Sequence, residues 1–175
     1  MRLRLPVPPR VALLLALALA GCGGRDAHVP TGRPIVVVSI DTLRSDRLPA
    51  YGYEGVETPA IDALRQDSVL FERAYSPVPL TLPAHASLLT GLLPPEHGVR
   101  DNAGYRLEEG AGATAAEALA AAGYATGAAV SAYVMRAETG LARGFEHYDD
   151  ELSETAQATI AEIQRSGPDT LEAAL

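Results

Sequence analysis

Residues 35–40 form a continuous run rich in valine and isoleucine, apolar except for Ser39, that ends at Asp41. Runs of this kind are typical of strands buried on both faces of a parallel sheet, whereas strands with one wet face alternate apolar and polar residues. Open α/β sheets bind ligands beyond the carboxyl ends of their strands. The run therefore predicts a buried parallel strand, and it puts Asp41 where a functional side chain is expected.

The rest of the chain alternates helix and strand signals, which is typical of α/β folds with a mostly parallel sheet. Thr58-Pro59 combines an N-cap residue with a proline at the first helical position, and Thr114 with Glu117 forms a capping box. The expected helices cover 59–67, 83–89 with Thr81 at or beside the start, Thr114 to Gly123, and about 153–164, the last closed by Gly167-Pro168. Strands are expected over 68–74 and 124–130.

The first 21 residues have the order of a secretory signal: three arginines and no acid, an apolar run over 11–20, then small residues. This run is too short for a permanent membrane span, which needs about 20 residues. Residues 19–22, Leu-Ala-Gly-Cys, resemble a bacterial lipoprotein signal, in which the cysteine is acylated and becomes the new N-terminus. Gly23 in place of aspartate favours the outer membrane. The alternative is a chance cysteine after an ordinary signal peptide.

Residues 22–33 are expected to be a tether between lipid and protein, and residues 34–175 a partial folded domain. Cys22 is the only cysteine, so no internal disulfide and no cysteine metal site can form. All 14 basic residues are arginine, and removing the three in the signal would change the formal charge from −8 to −11. An acidic surface repels polyanions, so nucleic acid is not expected as a partner.

Most side chains that could carry chemistry fall in three short segments, residues 39–46, 80–91 and 97–102. Taken singly, each has a structural explanation, because Asp41 and Thr81 could cap helices and Asn102 could lie in a turn. Their order and spacing resemble the sulfatase N-terminal domain of the alkaline phosphatase superfamily, from about residue 34 to 150. Further similar segments are 51–53, 58–64, 71–76, 140–141 and 144–145.

The resemblance implies that the strand over 35–40 brings Asp41 to a divalent metal, for which an anionic oxygen suits Ca²⁺ or Zn²⁺. Sulfatases usually have two consecutive aspartates here, whereas this chain has Thr42 in the second position, as in the phosphatase and phosphodiesterase branches. The family takes further aspartate and histidine ligands from its C-terminal half. We therefore expect this chain to be truncated and inactive alone.

Residues 81–85, Thr-Leu-Pro-Ala-His, are similar to the sulfatase signature Cys/Ser-x-Pro-x-Arg. In typical sulfatases that cysteine or serine is oxidised to formylglycine. Threonine has an extra methyl group on its β-carbon, so the same oxidation cannot give an aldehyde, and no formylglycine is expected. The phosphodiesterase branch instead implies direct attack by Thr81, activated by the metal and by a helix N-terminus.

His85 and Asn102 are the expected substrate-binding residues. His85 replaces the arginine of the signature, and it could orient the attacked oxyanion when protonated, bind metal when neutral, or simply pack on its helix. Asn102 has a spacing at which the phosphodiesterase branch uses an asparagine amide to hold a non-bridging phosphoryl oxygen. The residues expected to be structural are Arg44, Asp46, His97 and Arg100, and the poor ligand candidates are His28 and His147.

The combined expectation is a metal-dependent hydrolase of sulfate or phosphate esters. Typical sulfatases grip sulfate with lysines, and this sequence contains none. Either a C-terminal portion supplies them or the substrate is held another way, and both possibilities favour phosphate over sulfate. Two alternatives stay open. One is a phosphoryl transferase acting on envelope lipids or glycans, and the other is a non-catalytic surface lipoprotein that uses the fold as a binding module.

Overall fold

The computed structural model describes residues 32–152 and 163–175. The helices are α1 (Pro59–Gln66), α2 (Thr81–Thr90), α3 (Pro94–His97), α4 (Ala115–Ala121) and α5 (Gly167–Ala174). The strands are β1 (Gly127–Ala129) and β2 (His147–Asp149), which pair in parallel with Gly127 opposite His147. Short 3-10 turns cover Ser45–Arg47, Pro49–Tyr51, Tyr133–Met135 and Ala137–Thr139. The predicted α/β class, with a parallel sheet flanked by helices, is confirmed.

Residues 37–175 form one compact unit, and the described residues before it, 32–36, contain no helix or strand. The signal, the tether up to residue 31 and Cys22 lie outside the described residues. Among the residues that are described, no helix is long and apolar enough to cross a membrane.

The core of the larger unit is built around one face of α2. Its fully buried members are Leu82, Ala86, Val99, Leu107 and Leu141. Two of these lie four positions apart in α2, so they share a face of that helix. Because this face is locked into the core, the first turn of α2 has a fixed position, and Thr81 begins that turn.

The predicted strand over 35–40 is wrong. This segment has no regular secondary structure, and Val37 and Val38 are 72% and 79% exposed. A strand needs a hydrogen-bonded neighbour, and no described residue pairs with this segment. The β-branched run therefore indicates that this segment can be buried as a strand, but a neighbouring strand is needed for it to pair.

The other predicted strands were also placed inaccurately. Residues 68–74 contain no strand, only a bend at 68 and a turn at 72–73, and the strand expected over 124–130 shortens to β1. Strand β2 was not predicted, because the sequence around His147 reads as a surface turn. Three residues are too few to show the alternation that identifies a strand.

Three helices were predicted correctly, namely α1, α2 and α4. The capping box of α4 is present: the Thr114 hydroxyl accepts from the Glu117 amide at 3.1 Å, and the Glu117 carboxylate accepts from the Thr114 amide at 2.7 Å. Gly167-Pro168 opens α5, capped by Ser166, and does not close an earlier helix. The helix expected over 153–164 lies mainly outside the described residues, although Gln164 forms an isolated bridge with Ala132.

Candidate functional site

The candidate site lies at the start of α2. The N-cap residue Leu80 offers no side-chain acceptor to the first turn, so those amide groups need other partners. Pro83 has no amide hydrogen, and it therefore loses no hydrogen bond in this turn. The Leu82 amide donates to Oδ1 of Asn102 at 2.9 Å, while the Thr81 amide donates to no described residue. One donor thus stays available beside the Thr81 side chain.

The hydroxyl of Thr81 meets the carboxylate of Asp41, although the two residues are 40 positions apart. Thr81 Oγ1 donates toward this carboxylate, with distances of 3.2 Å to Oδ1 and 3.1 Å to Oδ2. Asp41 is exposed and Thr81 is half-buried. The predicted meeting of these two side chains is present, and their oxygens converge on a point that solvent can reach.

The backbone beside Asp41 is strained. Thr42 has a φ of +57°, and it is the one described residue other than glycine with a positive φ. A β-branched side chain in this region is a genuine outlier, at a penalty of about 1–3 kcal/mol. The Thr42 amide donates to Asp41 Oδ1 at 3.0 Å, which fixes the carboxylate. Strained backbone of this kind is concentrated at functional sites.

His85 lies one turn after Thr81 and faces the same segment as Asp41. Its Nδ1 donates to the Thr81 carbonyl oxygen at 2.8 Å, and its Nε2 lies 2.9 Å from the hydroxyl oxygen of Ser39. Since a carbonyl oxygen only accepts, Nδ1 carries a hydrogen, and the neutral imidazole accepts from Ser39 through Nε2. Both ring nitrogens therefore have partners within the chain. Sequence reasoning missed Ser39, whose only signal was its position two residues before Asp41.

The side-chain amide of Asn102 joins Asp41, Thr81 and His85 at the start of α2. Its Oδ1 is held by the Leu82 amide, and its own backbone amide donates to Asp101 Oδ1 at 2.7 Å. The Nδ2 group donates to no described residue, and Asn102 is half-buried. Because the oxygen is anchored to α2, the two Nδ2 hydrogens are held ready for a ligand.

Four polar residues of the similar segments lie outside this group. The Arg44 guanidinium contacts Asp46 through two hydrogen bonds, at 2.9 and 2.7 Å, and holds the pKa of Asp46 below its ordinary value. His97 is buried, with Nε2 at 2.9 Å from the Ser87 hydroxyl oxygen and Nδ1 accepting from the Val99 amide, and burial lowers its pKa. Arg100 is exposed. Arg44, Asp46 and His97 thus have the structural roles expected of them.

The donor set at the site fits part of a metal centre. Asp41 and Thr81 supply a carboxylate and a hydroxyl, and oxygen ligands suit hard cations. Catalytic zinc usually takes three protein ligands. Within residues 32–152 and 163–175, however, no three histidine, cysteine, aspartate or glutamate side chains lie close enough together to hold a metal ion.

Known proteins similar to this chain are sulfatases. The profile of the sulfatase family matches residues 33–166. Human (Homo sapiens) arylsulfatase A is 39% identical over 127 residues, which cover 67% of this chain and 23% of that protein. Arylsulfatase of Clostridium perfringens is 39% identical over 64 residues, covering 37% and 13%, and N-acetylgalactosamine-6-sulfatase of Canis lupus familiaris is 38% identical over 86 residues, covering 49% and 16%.

The chain thus spans less than a quarter of the length of these three relatives. No solved structure matches it. The family profile nevertheless covers well over half of the 175 residues, and it includes Asp41, Thr81, His85 and Asn102. The chain belongs to the sulfatase family.

Proposed function

We propose that this protein is a metal-dependent hydrolase of sulfate or phosphate esters, with Thr81 as its nucleophile. The observation that carries the proposal is the contact of the Thr81 hydroxyl with the Asp41 carboxylate, at 3.1 and 3.2 Å, on the first turn of α2. Sulfatase membership supports a sulfate ester as substrate. The absence of lysine supports a phosphate ester, so both esters belong to the proposal.

In the proposed reaction, Thr81 Oγ1 attacks the sulfur or phosphorus atom. A bond from Oγ1 to that atom forms as the bond to the substrate alcohol breaks, which leaves a threonyl ester. The hydroxyl hydrogen already points at Asp41, so the proton leaves through this carboxylate and passes to the departing alkoxide. Water then hydrolyses the threonyl ester, which releases sulfate or phosphate and restores the threonine.

Two amide groups are available to hold the transferred group. The Nδ2 of Asn102 donates to a non-bridging oxygen, because its Oδ1 is already held by Leu82. The Thr81 amide, which donates to no residue that the structure describes, lies at a helix N-terminus, where partial positive charge favours an anion. Donors fixed in this way are effective because they need no reorganisation as charge develops.

A divalent cation, zinc or calcium, held by Asp41 and Thr81 would lower the pKa of the hydroxyl. The two partners of His85 favour a supporting role for it over the metal-binding or oxyanion-binding alternatives. Further metal ligands would have to come from outside the described residues. The β-carbon methyl of Thr81 rules out an aldehyde, so direct attack replaces formylglycine in the proposal.

We further propose export and anchoring to the outer membrane through acylated Cys22, after removal of residues 1–21. The charged, apolar and small residues of this segment support the proposal. The mass of the N-terminal peptide from the membrane fraction tests it. An acylated Cys22 is expected, and an unmodified Cys22 would contradict it.

The proposed function is tested by turnover of p-nitrophenyl sulfate and bis-p-nitrophenyl phosphate with the metal-loaded, full-length gene product. Thr81→Ala should abolish turnover of the preferred ester, and Thr81→Ser should retain part of it. Thr90→Ala is the matched control, because Thr90 lies at the other end of α2. A sulfuryl or phosphoryl group should be trapped on Thr81 in mass spectra.

The same experiment distinguishes the alternatives. Equal turnover by Thr81→Ala would refute the nucleophile. Transfer of the phosphoryl group to an added lipid or glycan acceptor would favour the transferase. Absence of turnover and of trapping with either ester would favour a non-catalytic lipoprotein.

A further inference from the structure

The segment over residues 97–102 is tied to α2 at both of its ends. At one end, Nε2 of His97 lies 2.9 Å from the hydroxyl oxygen of Ser87. At the other end, Oδ1 of Asn102 accepts from the Leu82 amide, also at 2.9 Å. Because the segment is short and its interior packs into the core, a displacement of one end is transmitted to the other.

His97 makes its two hydrogen bonds in one protonation state. The amide of Val99, a fully buried residue, donates to Nδ1 at 3.1 Å, so Nδ1 has no hydrogen. The neutral ring therefore has its hydrogen on Nε2 and donates it to Ser87. A protonated ring has hydrogens on both nitrogens, so Nδ1 would direct a donor at the Val99 amide, which is itself a donor. Protonation therefore breaks the bond between His97 and Val99 and leaves a buried amide without an acceptor.

The surroundings of His97 favour the neutral ring. From α2, which packs against α3, the ring is contacted by the uncharged Ser87, and the one titratable side chain of α2, His85, has its partners elsewhere. In α3 itself, the charge of Glu96 favours protonation, but burial has the larger effect and lowers the pKa of His97. The charged residues that follow in the segment are exposed, namely Arg100 and Asp101.

We propose that His97 is a pH-dependent positioning residue: its neutral imidazole holds the segment 97–102 against α2 and so fixes the Asn102 amide, and its protonation releases that amide. The expected effect on turnover rests on the proposed function, in which Nδ2 of Asn102 donates to a non-bridging oxygen. The coupling between His97 and the bond from Leu82 to Asn102 does not, and it can be measured without substrate.

The direction of the pH dependence follows from the lowered pKa of His97. Once the segment is released, its histidine has the ordinary pKa of about 6.5, so the released form takes up the proton first. Asn102 is therefore held fully above a pH of about 6.5. Its position is lost as the pH falls below this value toward the lower pKa of the folded protein.

Amide hydrogen exchange of the full-length protein at pH 7 and pH 5, corrected for the intrinsic exchange rate, tests the coupling. We expect the protection of the Leu82 amide to fall at least about threefold on acidification. The Val130 amide, which donates to Asp149 at the end of the sheet, should change less than about 1.5-fold, since the effect is local. The ring-proton NMR signal of His97 should titrate over the same pH range in which the protection of Leu82 falls.

His97→Asn removes the titrating ring and keeps a side-chain oxygen that can accept from the Val99 amide. In this variant the protection of Leu82 should change less than about 1.5-fold between the two pH values. His147→Asn is the matched control, because His147 is exposed on β2, and it should behave like the wild type. An equal fall in His97→Asn would overturn the proposal. A wild-type Leu82 amide whose protection is independent of pH, or falls at a different pH from the titration of His97, would also overturn it.

Turnover separates this proposal from the proposed function. If Asn102 acts on the ester, kcat/KM of the wild type should fall at least about threefold more than that of His97→Asn between pH 7 and pH 5. This difference should disappear when both proteins also have Asn102→Ala, and a difference that persists would overturn the coupling through Asn102. If turnover does not depend on Thr81, the proposed function fails, while a pH-dependent fall in the protection of Leu82 still supports the role of His97.

Discussion

His85 donates from Nδ1 to the carbonyl oxygen of Thr81, one turn earlier in the same helix, at 2.8 Å. This bond fixes the ring so that Nε2 faces Ser39, two residues before Asp41. Ser39 and Asp41, two positions apart on one segment, thus contact His85 and Thr81, four positions apart on α2. The bond between Ser39 and His85 acts as a brace for the contact between Asp41 and Thr81, because Asp41 cannot move away from Thr81 without stretching that bond.

We predict that Ser39→Ala and His85→Ala act through the same brace. Each should lower the free energy of unfolding by about 0.5–1.5 kcal/mol, the usual net contribution of one hydrogen bond, and the double variant should lose little more than the larger single loss. Denaturant unfolding of the four proteins measures this coupling. Ser76→Ala is the control, because among the described residues the Ser76 hydroxyl donates just to the nearby Val78 carbonyl. Fully additive losses would contradict the brace.

Turnover by the same variants separates a brace from a direct role. If His85 only positions Asp41, Ser39→Ala and His85→Ala should lower kcat/KM by similar factors. A far larger loss in His85→Ala would show that the imidazole contacts the substrate or the metal. That result would restore the alternatives that its two hydrogen bonds argue against.

The two ends of the Asn102 amide should have separable roles. Asn102→Asp keeps an oxygen acceptor for the Leu82 amide, and it puts a negative charge at a helix N-terminus, so stability should be retained. It removes the Nδ2 donor and repels the anionic substrate, so kcat/KM should fall by about 10²–10³-fold. Asn102→Ala should lose activity and also about 1 kcal/mol of stability. Thermal unfolding and turnover measure both, and an active Asn102→Asp variant would refute the donor role.

The sequence predicted the contact of Asp41 with Thr81 better than it predicted the sheet, for a physical reason. The start of α2 is encoded locally, by Thr81 and Pro83 before an apolar stretch, and Asp41 ends a conspicuous run. These signals need no knowledge of distant partners. The contact between Asp41 and Thr81 then followed from the family resemblance, and the distances agree with it.

The strand over 35–40 failed as a prediction because pairing depends on a neighbour that the run itself does not specify. The same limitation explains why β2 was missed, since its residues His147–Asp149 are identified as a strand by the parallel partner β1. The contact of Ser39 with His85 and the left-handed backbone of Thr42 were not predicted, for a different reason. The hydrogen bond of the Ser39 hydroxyl to His85 gives no periodic signal in the sequence, and neither does the left-handed backbone of Thr42.

Glu117 should make stability depend on pH at the acidic end. Its carboxylate accepts from the Thr114 amide at 2.7 Å and contacts Arg143 at 3.0 Å, and these partners, Thr114 first, hold its pKa below the ordinary value. The unfolded chain therefore takes up this proton first. The stabilisation is complete above the unfolded pKa of about 4.3, and it is lost as the pH falls toward the lower folded value.

Glu117→Gln removes the titrating carboxyl group, while the side-chain amide oxygen of glutamine can still accept from the Thr114 amide. The difference in unfolding free energy between wild type and Glu117→Gln should therefore shrink as the pH is lowered below about 4.3. Glu108→Gln is the matched control, because the ion pair of Glu108 with Arg106 is exposed, at 70% and 60%. A pH-independent difference for Glu117→Gln would contradict the linkage.

Gly144 and Gly123 offer a comparison of two glycines with nearly the same backbone. Their φ values are +85° and +88°, so an alanine at either position has the same left-handed penalty, about 1–2 kcal/mol. Their surroundings differ. A β-carbon on Gly144 would lie 2.2 Å from the Glu117 amide nitrogen, in the first turn of α4, whereas one on Gly123 would meet nothing within 4 Å.

We therefore predict that Gly123→Ala costs about 1–2 kcal/mol of unfolding free energy and that Gly144→Ala costs at least about twice as much. The extra loss arises because the clash is with backbone, and α4 must move to relieve it. That movement would strain the bond from the Thr114 hydroxyl to the Arg143 carbonyl, now 2.9 Å, which ties the start of α4 to the residue before Gly144. Denaturant unfolding of both variants measures the difference. Equal losses of unfolding free energy in the two variants would mean that α4 can move away from residue 144 without penalty, and that its contact with Gly144 adds nothing to the stability of the fold.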